Sequence, residues 1–396
     1  MSTISQILAL TAMNLRSIPQ RLGNSMVIVI GIAGVVAVLI SVLAMSRGFR
    51  TTIEADGSAD RTMVFSRGAI AENESGLSRE NVAAVMNAAG IRRDAQDRPV
   101  ASAEVILTAP VARKRDNSDV YLTLRGVGPQ YFVLRPELKL VSGRLFRAGN
   151  QELLVGASAS TQFAGLEIGN QVRLQDGDWT VVGTFAGGNG SRESEVIADG
   201  QTVMSAYKLD SVNSVSLMRE SGTSLAALKA ALAQDASLQI DVRSEPEYLA
   251  TASGSINRML QLVAYSIGSI MALGALFGAL NSTQSAVATR TVEIATLRAI
   301  GFSSLAVAIA VLIEALLLAF VGAVAGAAIA YAAFNGMTIS TLGGAVWDSQ
   351  LVYSLNITPS LLVIAIVLAC ALGLLGGVFP AIRAANTGVA DALHEI

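Results

Sequence analysis

Few of the side chains that carry catalytic chemistry occur in this sequence. The single histidine, His394, stands close to the carboxyl end and has no neighbours with which to build a metal site or a triad. The single cysteine, Cys370, lies in an apolar run, so neither an intrachain disulfide nor a cysteine metal cage can form. Serines and aspartates between 47 and 258 have no histidine partner there, which excludes a Ser-His-Asp hydrolase in that stretch. No G-x-x-x-x-G-K-S/T phosphate loop occurs, and Gly187-Gly188-Asn189-Gly190 lacks the lysine and reads as a turn. The charged groups that remain noteworthy are Arg290, Glu293 and Arg298, in an otherwise apolar half of the chain. On a helix Arg290 and Glu293 form an i,i+3 pair, Ile294 and Leu297 share one side, and Gly301 is placed to cap the end. Physics alone leaves two readings open: a rigid lever between membrane spans, or a solvated connector whose arginines merely obey topology.

The elements that must position this segment follow from composition. Hydrophobic residues make up 52% and charged ones 15%, far from the roughly one quarter charged of a soluble chain. Of the 28 Lys and Arg, 23 fall between 47 and 258, as do 25 of the 30 Asp and Glu, so the mean hydropathy of +0.53 averages two unlike kinds of sequence. A net charge of -2 excludes a broadly basic nucleic-acid binder. Four apolar stretches exceed the roughly 20 residues needed to cross a bilayer: 23–46, 259–286, 305–333 and 360–381. Arg16, Arg21, Arg290, Arg298 and Arg383 then lie on one side, while the 334–359 loop holds Asp348 and no basic residue. The positive-inside tendency places both termini, the 287–304 loop and the 382–396 tail in the cytoplasm, with 47–258 facing outward.

Ahead of the first span, in residues 1–22, Ile4, Ile7, Leu8, Leu15 and Ile18 form one stripe at helical spacing and Pro19 ends it, as expected of a helix lying on the cytoplasmic membrane face. The outward block reads as an α/β unit split by an insertion. A strand at 62–66, a helix at 78–89 capped by Ser78 and a strand at 100–108 are echoed by a strand at 212–218, a helix at 224–234 and a strand at 238–242. Between them, about 120–207 is rich in glycine turns and short β runs. Residues 245–258 continue as a stalk into the second span.

Glu314 sits inside the third span, where a charged side chain costs about 2.5–3.5 kcal/mol on insertion scales. A polar clamp fits it better than a proton relay, because no span holds a second ionisable group. The glycine pairs Gly274 and Gly278, Gly322 and Gly326, and Gly373 and Gly377 permit close helix approach, with packing inside the chain as the default and a dimer seam as the alternative.

The pattern R-x-x-E-I-x-x-L-R-A-x-G, present as Arg290, Glu293, Ile294, Leu297, Arg298, Ala299 and Gly301, resembles the coupling segment of macrolide-exporter-like (MacB-like, FtsX-like) ABC permeases. Ile313-Glu314-Ala315-Leu316-Leu317 is similar to that family's third span, and Phe379-Pro380-Ala381-Ile382-Arg383-Ala384-Ala385 to the end of its fourth. Leu154-Val155-Gly156, Gly165-Leu166-Glu167-Ile168-Gly169 and Trp179-Thr180-Val181-Val182-Gly183 resemble its periplasmic core domain. The sequence departs from the pattern near its end, where the family often has a proline before a final Glu-Ala-Leu and this chain reads Gly388-Val-Ala-Asp-Ala-Leu.

The resemblance implies a helical membrane protein with four transmembrane helices, one plus three, and a large α/β periplasmic domain between the first two. It implies a bacterial inner-membrane location and a non-catalytic permease without cofactor, served by a dimer of ABC ATPase subunits that bind ATP and Mg. A second permease copy, identical or paralogous, membrane lipids, and a periplasmic adaptor with an outer-membrane channel complete the implied partners, without nucleic acid. Export of an amphiphilic or periplasmic substrate is the leading expectation. Lipoprotein release is the alternative within the family, and regulation of a cell-wall hydrolase the alternative outside transport.

Overall fold

The computed structural model describes residues 3–17, 19, 22–175, 177–187, 190–235, 237–340 and 350–386. Ile18, Arg21, Asp348, the Gly188-Asn189 pair and the tail from 387, including Gly388 and His394, lie outside them. The chain opens with helices α1 (Thr3–Ser17) and α2 (Leu22–Glu54) and divides into two units, one of helices and one built on a sheet.

The sheet unit takes residues Gly48–Asn257 and Thr338–Ser354. It runs β1 (Arg61–Ser66), α3 (Arg79–Met86), β2 (Ala101–Ala112), β3 (Asp119–Val127), α4 (Tyr131–Leu134), β4 (Lys139–Gly143), β5 (Glu152–Gly156), α5 (Ala157–Gln162), β6 (Gln171–Leu174), β7 (Gly177–Ala186), β8 (Val196–Asp199), α6 (Gly200–Ala206), β9 (Ser214–Met218), α7 (Leu225–Leu232) and β10 (Ile240–Ser244). Among the described residues the strand order is β10-β1-β9-β2-β3-β8-β5-β7-β4, with β6 paired to β7. The first four strands are antiparallel throughout and, with α3 and α7, form a split βαβ layer.

Strand β2 joins that layer to the insertion, since Ala101–Glu104 pair with β9 and Val105–Ala112 pair with β3. The strand outruns the expected end at 108, with Pro110 opposite Tyr121. Past Glu104 its ladder with β9 has ended, so a residue without an N–H is tolerated on that side. Ser78 and Ser224 cap α3 and α7 by accepting from the N–H groups of Asn81 and Ala227.

Alternation along the strands gives the sheet two unlike faces. Val64, Val105, Leu122, Leu124, Val215 and Leu217 enter one apolar core with Val85 of α3, Leu228 of α7 and Trp179 of β7. The alternate positions Ser102, Glu104, Arg125, Ser214 and Ser216 are buried as well, which makes the other face polar.

The helical unit contains α1, most of α2, most of α8 (Glu245–Ala288), α9 (Thr291–Ala299), α10 (Ser304–Phe334) and α11 (Pro359–Ala385). Short strands β11 (Thr338–Ser340) and β12 (Val352–Ser354), between α10 and α11, belong to the sheet unit. Helices α2, α8, α10 and α11 are long and apolar enough to cross a membrane. Ile28, Ile32, Val36 and Ile40 of α2, at four-residue spacing, pack with Ala319, Ala323 and Ala327 of α10 and Leu361, Ala365 and Ala369 of α11. Among the described residues, α8 contributes Ala279 as its buried member of that cluster.

The glycine pairs separate accordingly. A Cβ on Gly322 would come within 2.8 Å of the Val29 carbonyl, and one on Gly326 would overlap the Ala33 carbonyl, so this pair seats α10 on α2. Gly373 and Gly377 seat α11 against Ala319 and Ala315 of α10. Gly274 faces open space, and Gly278 meets only Val27, at 4.0 Å. Of this third pair Gly278 therefore touches α2 at the limit of contact, and Gly274 takes no part in packing within the chain.

Helix α1 also differs from its expected single stripe. Leu10 and Asn14 are its buried positions, with Ile7 packed beside them against Val307 and Ala310 of α10, whereas Ile4 and Leu8 remain exposed on another side. Two apolar faces at nearby angles had merged into one stripe.

Candidate functional site

Local chemistry explains why residues 290–302 fold as a separate helix. Arg290 is its N-cap residue, and the Ile294 N–H donates to the Arg290 carbonyl at 2.9 Å. Ile294 and Ala295 point inward, where Ile294 joins Leu10, Val287 and Val311. At the far end Gly301 has φ 102°, a left-handed conformation that glycine adopts without a Cβ penalty. Its N–H reaches the Arg298 carbonyl at 3.1 Å and the Phe302 N–H reaches the Leu297 carbonyl at 3.1 Å, the two bonds of a Schellman stop. Ser303 then caps α10 through the Ala306 N–H. The result is a nine-residue rod of about two and a half turns with a defined stop at its end.

Its charged residues point in different directions. Arg290 is buried: Nη1 donates to Asn14 Oδ1 of α1 at 2.7 Å, and Nε donates to Glu293 Oε2 at 2.9 Å. The Glu293 side chain is 62% exposed, Arg298 is half-buried, and Val292, Thr296 and Ile300 are exposed beside them. A second tie to α1 runs through Gln6, whose Oε1 accepts from the Ser303 N–H at 3.1 Å and whose Nε2 donates to the Gly301 carbonyl at 3.5 Å. Helix α1 thus grips α9 at both ends. Helical periodicity singles out neither Gln6 nor Asn14, since a polar residue on a helix gives no hint of a partner so distant.

Glu314 of α10 lines a cavity of about 30 Å³, room for about one water, together with Arg290, Ser25, Ser282 and Thr283. The sequence reading treated Glu314 and Arg290 separately, and the fold brings them to one cavity whose other walls include Ile28, Val287 and Leu318.

A second polar constellation lies on the buried polar face of the sheet. Arg125 of β3 donates through Nε and Nη2 to both oxygens of Glu195, at 2.6 and 3.0 Å, and through Nη1 to Glu104 of β2 at 2.7 Å. Its Nη2 also reaches Glu72 at 3.1 Å, and Arg192 approaches Glu195 at 3.3 Å. Burial pushes the Glu195 carboxyl up, but Arg125 and Arg192 outweigh it and hold the group at about 2. Glu72 is lowered by the same two guanidiniums against the same opposition. A cleft of about 160 Å³ opens beside these groups, lined also by Thr123, Tyr248 and Gln350. The available signal in the sequence is a charge in the interior of each of two largely apolar strands, Glu104 and Arg125.

Comparison with known proteins adds three findings. Residues 25–235 match the MacB-like periplasmic core domain, and residues 265–389 match the FtsX-like permease C-terminal domain. No curated protein matches the chain. Solved structures similar to it include the extracellular domain of the noncanonic ABC-type transporter YknZ from Gram-positive bacteria, at 15% identity and a TM-score of 0.36, covering 46% of this chain and 99% of that one. The periplasmic region of MacB from Actinobacillus actinomycetemcomitans is similar at 15% identity and a TM-score of 0.38, covering 53% and 95%.

Proposed function

Because the chain belongs to the MacB/FtsX-like family of ABC permeases, we propose that it is the membrane subunit through which a separate ATPase dimer drives an outward-facing domain. The observation that carries this reading is α9, a short rod with a defined stop, held by α1 and presenting Glu293 and Ile300 outward. Such a rod passes a push on to its neighbours rather than absorbing it. Glu293 and Arg298 meet the ATPase; Arg290, already engaged with Asn14, fixes the rod. ATP and Mg are held by the ATPase. Both termini and α9 lie in the cytoplasm, four helices insert in the inner membrane, and the sheet unit faces the periplasm.

A second permease copy packs along α8. Support comes from the open face of Gly274 and from Ile270 and Phe277 on the same helix, 71% and 67% exposed. The substrate is amphiphilic or periplasmic, handled outside the membrane with a periplasmic adaptor and an outer-membrane channel. Affinity purification of the chain in mild detergent tests the reading. An ABC ATPase should elute with it in a stoichiometric complex, and elution of the chain without one would refute it.

A further inference from the structure

Helices α2 and α8 both contribute residues to the sheet unit, and two carboxylates fix their ends there. Glu245, the first residue of α8, follows β10 with no loop between them. Its fully buried carboxylate accepts from Nε of Arg61 on β1, from Nη2 of Arg135 at 2.6 Å and from the N–H of Ser58 at 3.0 Å. Ser58 belongs to the turn that leaves α2. One side chain therefore holds the start of α8, the exit of α2 and the first strand of the sheet.

Asp56, in that same turn, points the other way. Its carboxylate accepts from the Ser191 hydroxyl and from the Arg192 N–H at 3.2 Å, both in the 191–194 turn that precedes β8. A Cβ on Gly190 would collide with this carboxylate, so the turn is fitted closely around it. Burial raises the Asp56 carboxyl against the opposing pull of Arg192. Arg61 links the two positions, since its Nη2 donates to the main-chain oxygen of Asp56 while its Nε serves Glu245.

We infer that Glu245 and Asp56 are positioning residues that make the outward ends of α2 and α8 move as one body with the sheet, Glu245 through β1 and Asp56 through the 191–194 turn of the insertion. Buried charge-assisted hydrogen bonds suit such joints because they are short and directional, and Arg61, which also pairs with Glu137 at 2.8 Å, stays anchored in the sheet unit when Glu245 is changed. An apolar contact could slide; these cannot. The inference rests on the proposed function, since it takes motion to arrive along α2 and α8.

The test uses the full chain with its co-purifying ATPase in liposomes, comparing amide hydrogen exchange without nucleotide and after trapping with ATP and vanadate. In the wild type, trapping should change exchange at least twofold in three places: α9, residues 61–66 and residues 190–196. Glu245→Gln, which keeps the side-chain shape, should retain the α9 response and ATPase rate within twofold while losing the response at 61–66. Asp56→Asn should lose it at 190–196 and keep it at 61–66. A purely structural role would instead raise exchange in both regions with or without nucleotide, and that pattern overturns the inference. So does a wild-type outward response in either variant, or an α9 response in the wild type with silent outward segments. Silence at α9 in the wild type would instead remove the proposed function, and this inference with it.

Discussion

Asn14 and Arg290, 276 positions apart in the sequence, meet in a buried hydrogen bond of 2.7 Å between Oδ1 and Nη1. The bond makes the amino-terminal helix part of the support for α9, and it explains why the first arginine of the coupling pattern faces inward.

Removal of that acceptor should therefore be felt. Asn14→Ala leaves a buried guanidinium short of one partner, a loss of about 1.5–3 kcal/mol for a hydrogen bond to a charged group. Chemical denaturation in detergent should register it. Asn14→Asp restores an acceptor beside Arg290 and should recover most of the loss, whereas equal destabilisation by both substitutions would assign the effect to packing.

Glycine substitutions should divide by helix face. Gly326→Leu must displace the backbone of α2 and should abolish stable expression, because the Ala33 carbonyl occupies the space. A Cβ on Gly274 has open space around it, so Gly274→Leu should leave the monomer folded and weaken association of two copies. Size-exclusion chromatography with light scattering separates these outcomes.

Acid should loosen the sheet unit through the Arg125 constellation. A carboxyl held below its unfolded value contributes stability that is complete above that value and is lost as pH falls through the folded one. For Glu195 that window runs from 4.5 down to about 2 and is worth about 3 kcal/mol. Thermal melts between pH 6 and pH 3 should show the first part of the loss, and Glu195→Gln should flatten this part of the profile while lowering the melting temperature at pH 7.

Gly301→Ala places a Cβ in a left-handed conformation, at a cost of about 1 kcal/mol, with nothing within 4 Å to collide with. Stability should fall by that small amount. Coupled ATPase activity should fall more, because the stop that fixes the rod's length frays.

What the sequence made legible follows the range of the interactions. The Arg290 and Glu293 pair and the Gly301 stop depend on residues within one turn, so periodicity and cap chemistry are enough to read them. Arg290's inward turn depends on Asn14, for which no local signal exists. The three glycine pairs share one spacing, yet Gly274 of one pair faces open space, since spacing defines a stripe and not what lies across it. Glu104 and Arg125 are visible as charges in largely apolar strands, but Glu72 and Glu195 reach them from separate turns that only the fold brings together.

The central claim, that α9 passes ATPase work to the outward domain, stands on Glu293 and Arg298. On an exposed rod an ion pair contributes only about 0–1 kcal/mol to stability, whereas truncating a charge buried at an interface costs about 2–5 kcal/mol of binding. The most direct measurement is the affinity of the co-purified ATPase for the double variant Glu293→Ala/Arg298→Ala in nanodiscs, beside its melting temperature. An ATPase Kd weakened about thirtyfold or more is the predicted result, with a melting temperature lowered only by what Arg290 loses with its largely exposed partner Glu293 while Asn14 still holds it. Wild-type affinity at wild-type abundance would contradict it and make α9 a connector.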